Sequence, residues 1–141
     1  MGALNPPNEA GSCALSRVDP KNPFVLVVGG GLGTFCSRLE GSGIPSRFIG
    51  DATEALAIVQ KERTALVLVD VHAHGMDGLQ LLQEIREISP PNGMVPFIVI
   101  TASRKEEEIV RYLQAGADDC IASPFSPHVL LERIRRFMAR R

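Results

Sequence analysis

Three short constellations in this chain carry residue types that can do chemistry. Asp70 closes an apolar run, Ala65-Leu66-Val67-Leu68-Val69, and His72 and His74 follow it at alternate positions. Carboxylate and imidazole together suit a transition metal, but alternate residues of a loop need not converge, and two solvated histidines are the plainer reading. A second run, Phe24-Val25-Leu26-Val27-Val28, enters Gly29-Gly30-Gly31-Leu32-Gly33-Thr34. Asp51 lies about 20 residues on, as at the start of a dinucleotide-binding unit. Thr34 stands where that fingerprint has its third glycine. A tight turn is therefore the plainer reading of Gly29 to Gly33, with nucleotide or small-ligand binding as the alternative. Third, Thr101 closes the run Phe97-Ile98-Val99-Ile100, and Ser123 precedes Pro124-Phe125. Each brings a hydroxyl to the end of a strand, where Thr101 would also serve to cap the next helix.

The elements that must position these groups follow from pattern. Short continuous apolar runs bounded by turn residues read as strands buried on both faces: Phe24 to Val28, Ala65 to Val69 and Phe97 to Ile100. Ser46 to Ile49 and Asp119 to Ala122 are weaker strand candidates. Between them lie helical stretches. One runs from about Thr34 to Glu40 and ends at Gly41 and Gly43. The next opens on Asp51 with Glu54 as a capping box and carries a stripe of Ala55, Leu56, Ile58 and Val59. Gly78 to Ile88 spaces Leu79, Leu82 and Ile85 three apart before Ser89-Pro90-Pro91 breaks it. Ser103 with Glu106 predicts another capping box, with Ile109 and Leu113 inward and Gly116 closing the helix. The last helix starts at Ser126-Pro127 and aligns Leu130, Ile134 and Phe137. Five strands alternating with five helices predict an α/β fold with a parallel sheet covered on both faces, because parallel strands require crossovers.

Composition bounds the rest. The chain has 141 residues, 45% hydrophobic and 22% charged, which describes one globular domain with a proper core. A formal net charge of -1 gives no sign of wholesale nucleic-acid or membrane binding. No apolar run approaches the roughly 18 residues that span a bilayer, and no secretory signal is visible. Cys13, Cys36 and Cys120 are an odd number without CxxC spacing, so neither a disulfide framework nor a zinc site is expected, and a cytoplasmic location suits them. Pro6, Pro7, Pro20 and Pro23 mark residues 1–23 as a flexible leader or linker, leaving residues 24–141 as the domain. Arg133, Arg135, Arg136, Arg140 and Arg141 give the last helix a basic end that complements its dipole.

Several motifs in order now converge. Leu66-Val67-Leu68-Val69-Asp70 followed by His74-Gly75-Met76-Asp77-Gly78-Leu79 resembles the phosphoacceptor strand and loop of response regulator receiver domains. Val99-Ile100-Thr101-Ala102 resembles the strand that presents their switch hydroxyl. Ala115-Gly116-Ala117-Asp118-Asp119 and Ser123-Pro124-Phe125 resemble their last strand and the turn after it. The resemblance spans about Phe24 to Phe137. It implies a flavodoxin-like doubly wound sheet of strand order 2-1-3-4-5, with the site at the carboxyl ends of the strands.

The resemblance also implies roles. Asp70 takes the position of the Asp that accepts a phosphoryl group from a histidine kinase, and Thr101 that of the switch hydroxyl. The His72 carbonyl falls where the family supplies a metal ligand, so Asp70 and His72 are the candidate ligands should Mg²⁺ bind. The remaining positions depart from the family. Gly29 and Gly30 replace an acidic pair, Ser123 replaces a lysine, and Cys120 replaces an aromatic switch residue. Transferring a phosphoryl group concentrates negative charge, and losing one group that offsets it typically costs about 3 to 4 kcal/mol of barrier. With several gone, Asp70 alone is a poor Mg²⁺ site and no cofactor is expected. The sequence therefore reads as a degenerate, non-enzymatic receiver that acts through protein–protein interaction in phosphorelay signalling. The expected surface is the fourth helix, fifth strand and fifth helix, contacting a protein partner or a second copy, with no nucleic acid bound by this domain and no membrane. A functional phosphoacceptor, with Mg²⁺ at Asp70 and a histidine kinase as partner, is the alternative.

Overall fold

The computed structural model describes residues 23–29, 32–71 and 77–139. The leader expected over residues 1–23 lies outside them apart from Pro23. Five strands form one sheet: β1 (Phe24–Val28), β2 (Ser46–Ile49), β3 (Thr64–Asp70), β4 (Phe97–Thr101) and β5 (Asp119–Ala122). Every pairing is parallel and the spatial order is β2-β1-β3-β4-β5, as the resemblance implied. The connecting helices are α1 (Gly33–Gly41), α2 (Ala52–Lys61), α3 (Gly78–Arg86), α4 (Glu106–Gln114) and α5 (Pro127–Ala139). No described helix is long and apolar enough to cross a membrane.

The apolar runs are continuous because both faces of the sheet are covered. Successive strand residues alternate between two cores. Leu26, Val28, Val67, Val69, Phe97 and Val99 pack with α2, α3 and α4. Val25, Val27, Leu66, Leu68, Ile98 and Ile100 pack with α1 and α5. Leu82 and Ile85 of α3, and Leu130 and Ile134 of α5, are fully buried as their spacing predicts.

Most helix starts follow the expected chemistry. Asp51 caps α2, its Oδ1 accepting from Thr53 N at 2.9 Å. Ser126 caps α5, its Oγ accepting from Val129 N at 3.3 Å. The start of α4 differs. Ser103 is not the cap: its Oγ accepts from Lys105 N at 3.2 Å, closing a turn one step earlier, and the helix opens at Glu106 with no side-chain cap. The inward face of α4 differs too. Tyr112 is its buried residue, while Leu113 is 44% exposed and Ile109 half-buried. Three consecutive glutamates at its N-terminus leave few apolar positions from which to read a phase. Of the cysteines, Cys36 is buried with its Sγ 3.3 Å from Ser46 Oγ, and Cys120 is a free thiol.

Arg86, at the end of α3, ties together the amino-terminal ends of β4 and β5. Its Nη1 donates to the carbonyls of Gly93 (2.8 Å) and Val95 (2.7 Å). Its Nε and Nη2 donate to Gly116 O at 3.2 and 2.9 Å, and Nη2 also reaches Asp118 Oδ2 at 3.2 Å. The same Asp118 oxygen accepts from Phe97 N at 2.9 Å. Burial pulls the Arg86 guanidinium below its ordinary pKa, and the neighbouring Asp118 opposes that shift.

Candidate functional site

The sheet brings the singled-out residues to one end. Val28 pairs with Val69, so Gly29 and Asp70 follow at the same level on β1 and β3. Asp70 pairs with Ile100 and Thr101 with Ala122, which places Thr101 and Ser123 at the ends of β4 and β5. Ser123 N donates to Thr101 O at 2.7 Å, and Val71 N to Ile100 O at 3.1 Å. Gly29, Asp70, Thr101 and Ser123 therefore lie at the carboxyl ends of four neighbouring strands. Gly30, His72 and His74 lie outside the described residues.

Gly29 is in the left-handed region, with φ +116°, where residues other than glycine are strained. A Cβ built on it would stand 2.6 Å from the Cβ of Asp70. Its N donates to Ile49 O at 3.0 Å and its O accepts from Leu32 N at 3.1 Å. β1 thus ends in a turn that packs directly on Asp70, and both backbone groups of Gly29 already have partners. Asp51, the acid the dinucleotide fingerprint asks for, serves as the α2 cap.

Thr101 is 3% exposed, and its Oγ1 accepts from Ser103 N at 3.1 Å. That bond shapes the β4–α4 loop and leaves the hydroxyl proton for a second partner. Ser123 is half-buried and joined to Pro124 by a cis peptide bond.

The described residues do not fit a hard divalent cation. Mg²⁺ wants near-octahedral oxygen coordination with negative charge among the donors. β1 contributes no acid, and the Gly29 carbonyl already accepts one hydrogen bond, from Leu32 N. Asp77 caps α3, its Oδ1 accepting from Leu79 N at 3.2 Å. Among the described residues no three His, Cys, Asp or Glu side chains come together as a metal site.

The other side of β5 holds Cys120 and a residue the sequence reading missed. Cys120 is half-buried against the core that contains Tyr112. Burial, then the neighbouring Asp119 and Glu108, raises the Cys120 pKa, which keeps the thiol protonated and unreactive near neutral pH. Tyr112, only 6% exposed, has its pKa pushed up to about 12, first by burial and then by the charges of Asp77, Glu108 and Cys120. Its signal was present in the sequence, since it is the one tyrosine of a chain without tryptophan. The basic end of α5 is partly paired: Arg133 Nη1 reaches Asp119 Oδ2 at 2.8 Å, and Arg135 pairs with Glu132 at 2.8 Å.

Comparison with known proteins accords with this architecture. The family model described as "Response regulator receiver domain" matches residues 34–135. The DNA-binding response regulator MtrA of Mycolicibacterium paratuberculosis is 37% identical over 102 residues, covering 72% of this chain and 44% of that protein. The uncharacterized transcriptional regulatory protein YclJ of Bacillus subtilis is 34% identical over 98 residues, covering 70% of this chain and 41% of that protein. Among solved structures, the Francisella response regulator 1452 receiver domain superposes with a TM-score of 0.77 at 27% identity, covering 84% of this chain and 98% of that one. The receiver domain of the Pseudomonas aeruginosa sensor histidine kinase PA1611 superposes with a TM-score of 0.73 at 25% identity over 84% of this chain and 98% of that one. That structure has a magnesium ion coordinated in its active-site cleft.

These matches correct the expectation about partners, in which nucleic acid had no place. MtrA is by name a DNA-binding regulator, and this chain spans less than half of it. The net charge of one domain carries no information about the remainder of so much longer a protein. The motifs, the strand order and the family match agree: the chain belongs to the response regulator receiver family of two-component signalling.

Proposed function

We propose that this receiver works without ordinary Mg²⁺-dependent phosphoryl transfer at Asp70 and passes its signal by protein–protein contact. On this reading residues 24–141 form a cytoplasmic, non-enzymatic module that needs no cofactor. Asp70 holds the phosphoacceptor position and Thr101 the switch-hydroxyl position. Ser123 stands for the lysine, Cys120 for the aromatic, and Gly29 with Gly30 for the acidic pair. Relatives named as DNA-binding response regulators suggest that a longer protein would couple such a module to a DNA-binding part.

The observation that carries the reading is the described end of β1, where Gly29 packs on Asp70 and brings no carboxylate to it. In the family the acidic pair and the lysine serve the charge of an incoming phosphoryl group, and Gly29, Gly30 and Ser123 stand in their places. The working-phosphoacceptor alternative has one observation in its favour, the placement of Asp70 and Thr101 at the ends of adjacent strands. Intact-mass measurement after acetyl phosphate and Mg²⁺ separates the two. The proposal expects unmodified protein and no change of oligomeric state with beryllofluoride. Stoichiometric addition of one phosphoryl group, abolished by Asp70→Asn, would establish the alternative.

A further inference from the structure

We infer that Gly29 sets this site against divalent cations by geometry, so that returning an acid to its position does not rebuild a cation site. This rests on the reading of Asp70 given above and adds the reason behind it. A simple loss of acids would leave a vacancy that an aspartate side chain could refill. Here the space is closed. The Cβ that any such side chain needs would stand 2.6 Å from Asp70 Cβ, closer than carbon atoms pack, and the obstacle is the stem of a strand residue, which cannot swing aside. The backbone compounds this, because φ +116° lies outside the range that L side chains readily adopt. The turn is held on both sides, by Gly29 N to Ile49 O and by Leu32 N to Gly29 O, so relaxing φ would break bonds to β2 and to the start of α1. An acid at position 29 is therefore accommodated only by pushing β1 and β3 apart, which moves Asp70 itself. Gly29 is in this sense a specificity-determining residue: it fixes the distance between two strand ends at a value that admits a hydrogen atom and nothing larger.

The test is a double-mutant cycle on the full chain combined with Mg²⁺ titration. Gly29→Ala should lower the thermal midpoint by about 10 °C, since a clash and an unfavourable φ together shift it by several degrees each. In an Asp70→Gly background, where the obstructing Cβ is gone, the same Gly29→Ala change should shift the midpoint less than half as much. Gly29→Asp should lose at least as much as Gly29→Ala and show no saturable Mg²⁺ binding. Equal shifts in both backgrounds would overturn the inference. So would a Gly29→Asp protein that melts like the parent and binds Mg²⁺ saturably. Neither result would touch the proposed function, which fails by a different measurement: Mg²⁺ binding or phosphoryl labelling in the unmodified chain.

Discussion

The two ends of the sheet are built to opposite rules. At the amino-terminal ends of β4 and β5, Arg86 gathers the carbonyls of Gly93, Val95 and Gly116 with the carboxylate of Asp118, and Asp118 also takes the first amide of β4. At the carboxyl ends, β1 stops in a glycine pressed against Asp70, and β5 is followed by Ser123. One end is dense in charge-assisted hydrogen bonds, while the described part of the other is pared down. The difference teaches that the motif residues of this family do two separable jobs. Asp118 and the Gly116 turn hold the fold together and remain. On the proposed reading, Asp70 and Thr101 also remain, and the replaced positions are Gly29, Gly30 and Ser123.

That contrast breaks first at Arg86. Arg86→Ala removes donors from three carbonyls and one of the two partners of Asp118, and should cost about 2 to 3 kcal/mol in urea unfolding, because part-buried acceptors lose their charged donor. Arg86→Lys should recover less than half of the loss, since a single ammonium cannot fork toward Gly93, Val95 and Gly116 at once. A loss below about 1 kcal/mol for Arg86→Ala would mean that this end is no staple. At the opposite end Thr101→Val should cost only about 1 kcal/mol, the value of the one bond from Ser103 N. A loss as large as that of Arg86→Ala would erase the asymmetry between the two ends.

The finest test uses Tyr112, whose tyrosinate absorbance stands alone because the chain has no other tyrosine. The folded protein should titrate near its raised value of about 12, above the ordinary 10.0. A raised folded pKa means that the native state holds the proton more tightly. The stability this contributes is present below pH 10 and is lost as pH climbs through the interval to about 12. A midpoint near 10 with the fold intact by circular dichroism would show that Tyr112 is not held in the core beside Cys120.

Much of this was legible in the sequence, for definite reasons. Strands buried on both faces announce themselves as unbroken apolar runs, and Asp51, Ser126 and Pro127 mark their helix starts chemically. The placement of Asp70 and Thr101 at the same end of the sheet followed once those runs were taken as parallel neighbours. What escaped depends on three-dimensional adjacency. Arg86 reads as one more polar residue on a helix until the turns before β4 and β5 fold back on it. Ser103 and Leu113 were misplaced because α4 is rich in glutamate and its start and phase are set by packing on β5, not by its own pattern. The glycines at 29, 30 and 31 look alike in the sequence, and it takes the pairing of β1 with β3 to place Gly29 against Asp70.

The contact between Gly29 and Asp70 also bears on the mutational paths open to this chain. A chain that has merely lost an acid can regain it in one step. Once β1 has closed on β3, the return path runs through a clash, and the step that relieves the clash is loss of the Asp70 side chain, the very acceptor the acid would serve. On the inference drawn above, the glycine works as a ratchet: a cation site at these strand ends is regained only through more than one change.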